Sequence, residues 1–156
     1  MCNTCSEECL KIASKQLLYT PDWMVSFERE MAGDIILSHN AGEPIRKYRR
    51  RYGLSQDELG SLMNLRRESI SRIENGSVTP TFDFVKYFIK TMALVEAIRV
   101  ERAQKKEMDV YFLENVTRES GISRDKMPFI IKLAVDSYDK KLMKIQKSLK
   151  ENKYGK

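Results

Sequence analysis

The chain is poor in the residues that interrupt or staple a fold. Of 156 residues only 4 are proline and 7 are glycine, so long helical runs meet few breaks. It has a single histidine, no glycine-rich phosphate loop, and no clustered Ser/His/Asp or carboxylate arrangement. That leaves little from which to build a catalytic site, and the expectation is a protein that is not an enzyme. No apolar segment approaches the ~20 residues of a membrane span, and the first residues lack the basic-then-apolar pattern of a signal peptide. The expectation is a soluble cytoplasmic protein with no membrane partner. Cysteine is absent after position 9.

What the chain does have is charge: 28 Lys and Arg against 22 Asp and Glu, a net charge of +6. A basic balance favours polyanionic partners but is shared by many proteins, so its distribution carries more information. Arg46, Lys47, Arg49, Arg50 and Arg51 crowd one stretch, and Arg66, Arg67 and Arg72 crowd another. Glu7, Glu8, Asp22, Glu28 and Glu30 lie apart, near the start. A solvated helix face is the plain alternative reading of such runs.

Between the two basic stretches lies the most informative passage. Gly53 ends a helical run, Ser55 is suited to cap the next helix, and Glu58 stands three residues on, the spacing of a capping box. Leu59, Leu62 and Met63 give that short helix a buried stripe. Ile70 and Ile73 repeat the stripe on a following helix, which Asn75-Gly76 closes. Two short helices joined by a three- or four-residue turn are the signature of a helix-turn-helix.

On these residues the segment from about Pro44 to Leu94 resembles the helix-turn-helix domain of the Cro/phage-repressor (XRE-type) family of prokaryotic and archaeal transcription regulators. The Ser-Gln-x-x-Leu and Ile-Glu-Asn-Gly pairing, ungapped from Arg49 through Gly76, carries the resemblance. It implies an all-α, five-helix bundle that binds double-stranded operator DNA as a homodimer through a recognition helix at about 66–74. By matching positions, Gln56 would hold a phosphate, and Arg66, Arg67, Glu68, Ser71, Arg72 and Asn75 would face DNA. Arg49 and Glu74 occupy the places of a buried structural ion pair. Three positions depart from the pattern: Gly60 stands for the usual Ala, Asn64 for the usual Gly, and Leu65 for the usual Ser or Thr cap of the recognition helix. Gly60 still allows close helix approach, and Asn tolerates left-handed backbone.

The flanks divide the chain into a cysteine-bearing helical segment (1–40), the helix-turn-helix domain (41–94) and a C-terminal helical region (95–156). In the first, Leu10, Ala13, Leu17 and Leu18 form one stripe, and Trp23, Phe27, Met31 and Ile35 another, predicting two helices that pack on a partner surface. Asn40 to Pro44 reads as a linker that feeds Pro44 into the first turn of a helix. Val78 and Phe82 are expected in the bundle core, with Val85, Phe88 and Ile89 on the apolar face of the helix that follows. Leu94, Ile98, Val110, Phe112 and Leu113 flank a charged stretch, Glu101 to Lys106, that reads as a solvated connection. From Ser123, a helix with Pro128 in its early turns is predicted to about Leu149. Ile131, Val135, Tyr138, Leu142, Ile145 and Leu149 are spaced as a heptad seam. Its uses are packing on the chain's own helices, a dimer interface, or a protein partner on this helix.

Cys2, Cys5 and Cys9 are spaced so that their thiolates could converge on zinc or an iron–sulfur cluster. Three ligands leave a tetrahedral zinc site one short, which His39 would complete if the N-terminal helices fold back. A reduced tail and a disulfide are the other readings.

Function then divides between classes. A regulator would set Arg66 or Arg67 on guanine edges, Glu68 on cytosine or a neighbouring Arg, and Arg72 on a further base or a phosphate, while Gln56 fixes register. An adaptor resembling multiprotein bridging factors, associated with basal transcription machinery or ribosomes, is the alternative, although the paired CxxC of a zinc ribbon is absent. A toxin's antitoxin is a third.

Overall fold

Helix formers and the scarcity of breakers dictate the architecture: among the described residues every regular element is helical. The computed structural model describes residues 21–104, 113–114, 117–118 and 121–154. Cys2, Cys5, Cys9, the stripe from Leu10 to Leu18, Val110 and Phe112 lie outside the described residues. The helices are α1 (Asp22–Leu37), α2 (Gly42–Arg51), α3 (Gln56–Met63), α4 (Arg67–Glu74), α5 (Phe82–Ala103) and α6 (Met127–Tyr154), with a 3-10 turn at Arg124–Lys126 leading into α6.

The long α5 is the spine. Phe88, Met92, Ala93, Leu94, Val95, Ala97 and Ile98 are all buried along it, because α1, α3 and α6 pack around it. Within the helix-turn-helix pair, α3 rests on this spine and α4 on α3 and α2, with Leu59, Leu62, Met63, Ile70 and Ile73 buried as their spacing requires. Fully burying side chains of this size contributes about 1.5–3 kcal/mol each. The segment before the motif packs on the chain itself: α1 lies against α2 and α5, and Met24, Met31 and Ile35 are buried with Phe27 half-buried. Trp23, read as part of that stripe, is exposed, since Met24 takes the inward position one residue on.

Asn40 to Pro44 is no loose linker. The side chain of Asn40 accepts from the Gly42 amide at 3.0 Å, and Gly42 opens α2 pressed against the end of α4. A Cβ at Gly42 would lie 1.9 Å from the Ile73 carbonyl oxygen, so only glycine lets the two backbones approach this closely.

Val78 and Phe82 are not in the core: they are 45% and 77% exposed. Phe82 is the first residue of α5, and the helical turn that sends Phe88 inward sends Phe82 outward. Both line an open apolar groove of about 760 Å³ between α1, the 75–80 loop and α5, shared with Ile35, Ile36, Val85 and Ile89.

Long-range polar contacts tie α6 to the bundle. Lys126 donates to the Leu62 carbonyl at 2.8 Å, capping the end of α3, and its burial lowers its pKa. Ser137 donates to the Tyr52 carbonyl, and Arg99, buried in α5, stacks 4.8 Å over the Tyr52 ring. The helix runs to Tyr154, beyond the expected end at Leu149, with Pro128 as its second residue. Its packing face is Ile130, Leu133 and Ala134, with the half-buried Ser137 in line. The seam from Ile131 to Leu149 lies one residue on, turned about 100° from that face. Of the uses open to the seam, packing on the chain's own helices therefore falls mainly to its neighbour.

Candidate nucleic-acid interface

The interface is built on α3 and α4. Ser55 caps α3: its hydroxyl accepts from the Glu58 amide at 3.1 Å, and the Glu58 carboxylate accepts from the Ser55 amide at 2.7 Å. A cap of this kind contributes about 1 kcal/mol. Asn64 ends the helix in left-handed backbone (φ 55°), and the Leu65 amide donates to the Gly60 carbonyl at 2.8 Å. Leu65 is thus still part of the exit from α3, and the N-cap of α4 is Arg66, in extended backbone with no side-chain cap. The cap position expected at Leu65 is corrected by one residue, because the left-handed turn at Asn64 uses that residue to close the preceding helix. Gly60 carries the turn directly, for a Cβ there would stand 2.7 Å from the Leu65 carbonyl oxygen.

Glu74 fixes the far end of α4. Its carboxylate accepts from Arg49 Nε at 2.5 Å and Arg49 Nη2 at 2.9 Å, a two-pronged charged contact, and from Gln56 Nε2 at 2.9 Å. Arg46 approaches the same carboxylate at 3.5 Å and donates to the Glu74 carbonyl at 3.2 Å and to the Asn75 side chain. Arg49 also donates to the Leu54 carbonyl at 2.6 Å. Burial alone would raise the pKa of Glu74, but the bonds from Arg49 and Gln56 and the charges of Arg49 and Arg46 outweigh it and hold the carboxyl below its ordinary range. One carboxylate thereby ties α2, α3 and α4 together.

The outer side of α4 differs. Arg66, Arg67, Glu68 and Arg72 are exposed, and among the described residues their side chains make no hydrogen bond or ion pair. Ser71 is half-buried and Asn75 exposed, their side chains 3.5 Å apart. Gln56, at the first position of α3, is half-buried; its amide nitrogen keeps a second hydrogen after bonding Glu74. Gln56 is bonded to Glu74, the last residue of α4, while Arg66 and Arg67 stand at the opposite end of that helix, so the residues expected to face a duplex are spread along its whole length. The roles of Arg46 and Gly42 escaped the sequence reading, and neither residue type carries a signal for such a contact.

Arg50 and Arg51 are exposed on α2, and His39 is exposed in the turn after α1. Among the described residues no cluster of three His, Cys, Asp or Glu side chains could hold a metal ion, and no helix is long and apolar enough to cross a membrane.

Residues 45–86 match the helix-turn-helix family. The similarity covers the stretch that holds the α3–α4 pair, and not the rest of the chain. The chain is also similar to a protein of Archaeoglobus fulgidus described as an uncharacterized HTH-type transcriptional regulator, with 34% identity over 90 residues. That stretch is 58% of this chain but only 38% of the relative, so the chain spans well under half of that protein. No solved structure matches the chain.

Proposed function

We propose that the protein is a sequence-specific, double-stranded-DNA-binding transcription regulator that binds operator half-sites as a homodimer through α4, and that it works by binding, in the cytoplasm. The observation that carries this reading is the division of α4: Ile70, Ile73 and Glu74 are buried, while Arg66, Arg67, Glu68 and Arg72 project without partners among the described residues. An eight-residue helix is about 12 Å long, a length that suits a major groove about 12 Å wide. In that placement Arg66 and Arg67, at its N-terminal end, reach guanine O6 and N7, Glu68 accepts from cytosine N4, and Arg72, Ser71 and Asn75 meet the next bases or phosphates. Gln56 donates its free hydrogen to a phosphate and sets register without reading sequence. The resemblance to a regulator named as such in Archaeoglobus fulgidus supports the same reading.

The test is selection from a pool of random duplexes by the full chain at physiological salt. The expected result is enrichment of two related half-sites about one helical turn apart. Gln56→Ala should then weaken selected and unselected duplexes by a similar factor. Recovery of no sequence above the starting pool would remove the proposal.

A further inference from the structure

The proposal above requires two copies, and the C-terminal half of α6 offers the surface to join them. All residues from Lys140 to Lys150 are exposed, and within them Leu142, Ile145 and Leu149 remain 40%, 48% and 63% exposed. These three continue a line that begins with the half-buried Ile131, Val135 and Tyr138. Ile131 and Val135 pack at the edge of the core beside Ile130, Leu133 and Ala134, so the part of the seam that the fold leaves unused is Leu142, Ile145 and Leu149, with the half-buried Tyr138 at its start.

We propose that α6 pairs in parallel with α6 of a second copy of this chain through Tyr138, Leu142, Ile145 and Leu149; the choice of a parallel arrangement rests on the DNA-reading dimer proposed above. Three observations select a second copy over other occupants. The spacing alternates strictly between four and three residues, the a/d repeat of a two-stranded coiled coil. The stripe is narrow: Asp139, Lys141, Gln146 and Ser148 flank it with polar groups, whereas a helix lying on a membrane needs a broad apolar face. The charges also permit self-pairing. Lys140, Lys144 and Lys147 fall on outer positions of the repeat, and across a parallel pair Lys141 faces Gln146, so the crowded lysines do not oppose one another. Parallel pairing sets both bundles at one end, as two half-sites on one duplex require.

Sedimentation of the full chain under reducing conditions, at tens of micromolar, tests this. Wild type is expected as a dimer, and Leu142→Glu with Ile145→Glu is expected as a monomer, with pairing weakened by about a hundredfold or more. Lys144→Glu, on an outer position, should remain dimeric, and so should the conservative pair Leu142→Met with Ile145→Leu. Since the substituted residues are exposed, thermal unfolding of the bundle reports that the fold survives. A monomeric wild type, a wild type that binds vesicles of phosphatidylserine and phosphatidylcholine as a monomer, or a dimer that the double substitution leaves intact would each overturn the inference. Sedimentation decides the pairing whatever the DNA does: a wild type that binds no duplex, yet forms a dimer split by the double substitution, keeps the α6 interface and removes the DNA reading.

Discussion

The two faces of α4 spend the same kinds of residue in opposite ways. On the inner face a carboxylate, Glu74, is bonded by Arg49 and Gln56 and approached by Arg46; on the outer face Arg66, Arg67, Glu68 and Arg72 make no bond to one another or to the rest of the described chain. The difference teaches that charge on this helix has two separate jobs. A buried charge must be matched at once by its own molecule, because its desolvation is costly. An exposed charge left unmatched is available to a partner, at little cost while water solvates it.

The sharpest way to break this comparison is to remove the inner carboxylate. Glu74→Ala strands Arg49 in the interior and should lower stability by about 3–5 kcal/mol, measured by urea unfolding. The depressed pKa of Glu74 adds a pH signature. Its contribution is fully present above its ordinary value of 4.5 and is lost as pH falls through the lower folded value, so wild-type stability should decline below pH 4.5. Glu74→Gln should start lower and flatten in that window.

A smaller loss is expected where the inner face meets α2. Gly42→Ala drives a methyl into the Ile73 carbonyl and should cost about 1–3 kcal/mol in the same measurement. Smallest of all, Arg67→Ala on the outer face should change stability by no more than about 0.5 kcal/mol. A large loss there would mean that the outer arginines also hold the fold, and the division would fail.

Much of this arrangement was legible in the sequence, for physical reasons particular to each residue. Ser55 and Glu58 announce a cap because both partners are local, and Ile70 and Ile73 announce a buried face because helical period does. The less legible features depend on distant backbone. Nothing local distinguishes the jammed Gly42 from a linker glycine. Val78 and Phe82 are apolar enough for a core, and only the direction in which α5 enters leaves them in an open groove. Lys126 reaches a carbonyl 64 positions earlier in the chain, a contact that no periodicity encodes. The heptad seam of α6 was visible, but which of two adjacent stripes the body would take depended on how α6 docks on α5.

The most direct test of the central claim is the affinity of wild type and Arg67→Ala for a selected duplex and for a scrambled one, at one fixed salt concentration. If the outer face of α4 reads bases, Arg67→Ala loses about 1–3 kcal/mol of discrimination between the two duplexes while unfolding as wild type does. If the two proteins discriminate equally well, α4 is not the reading surface.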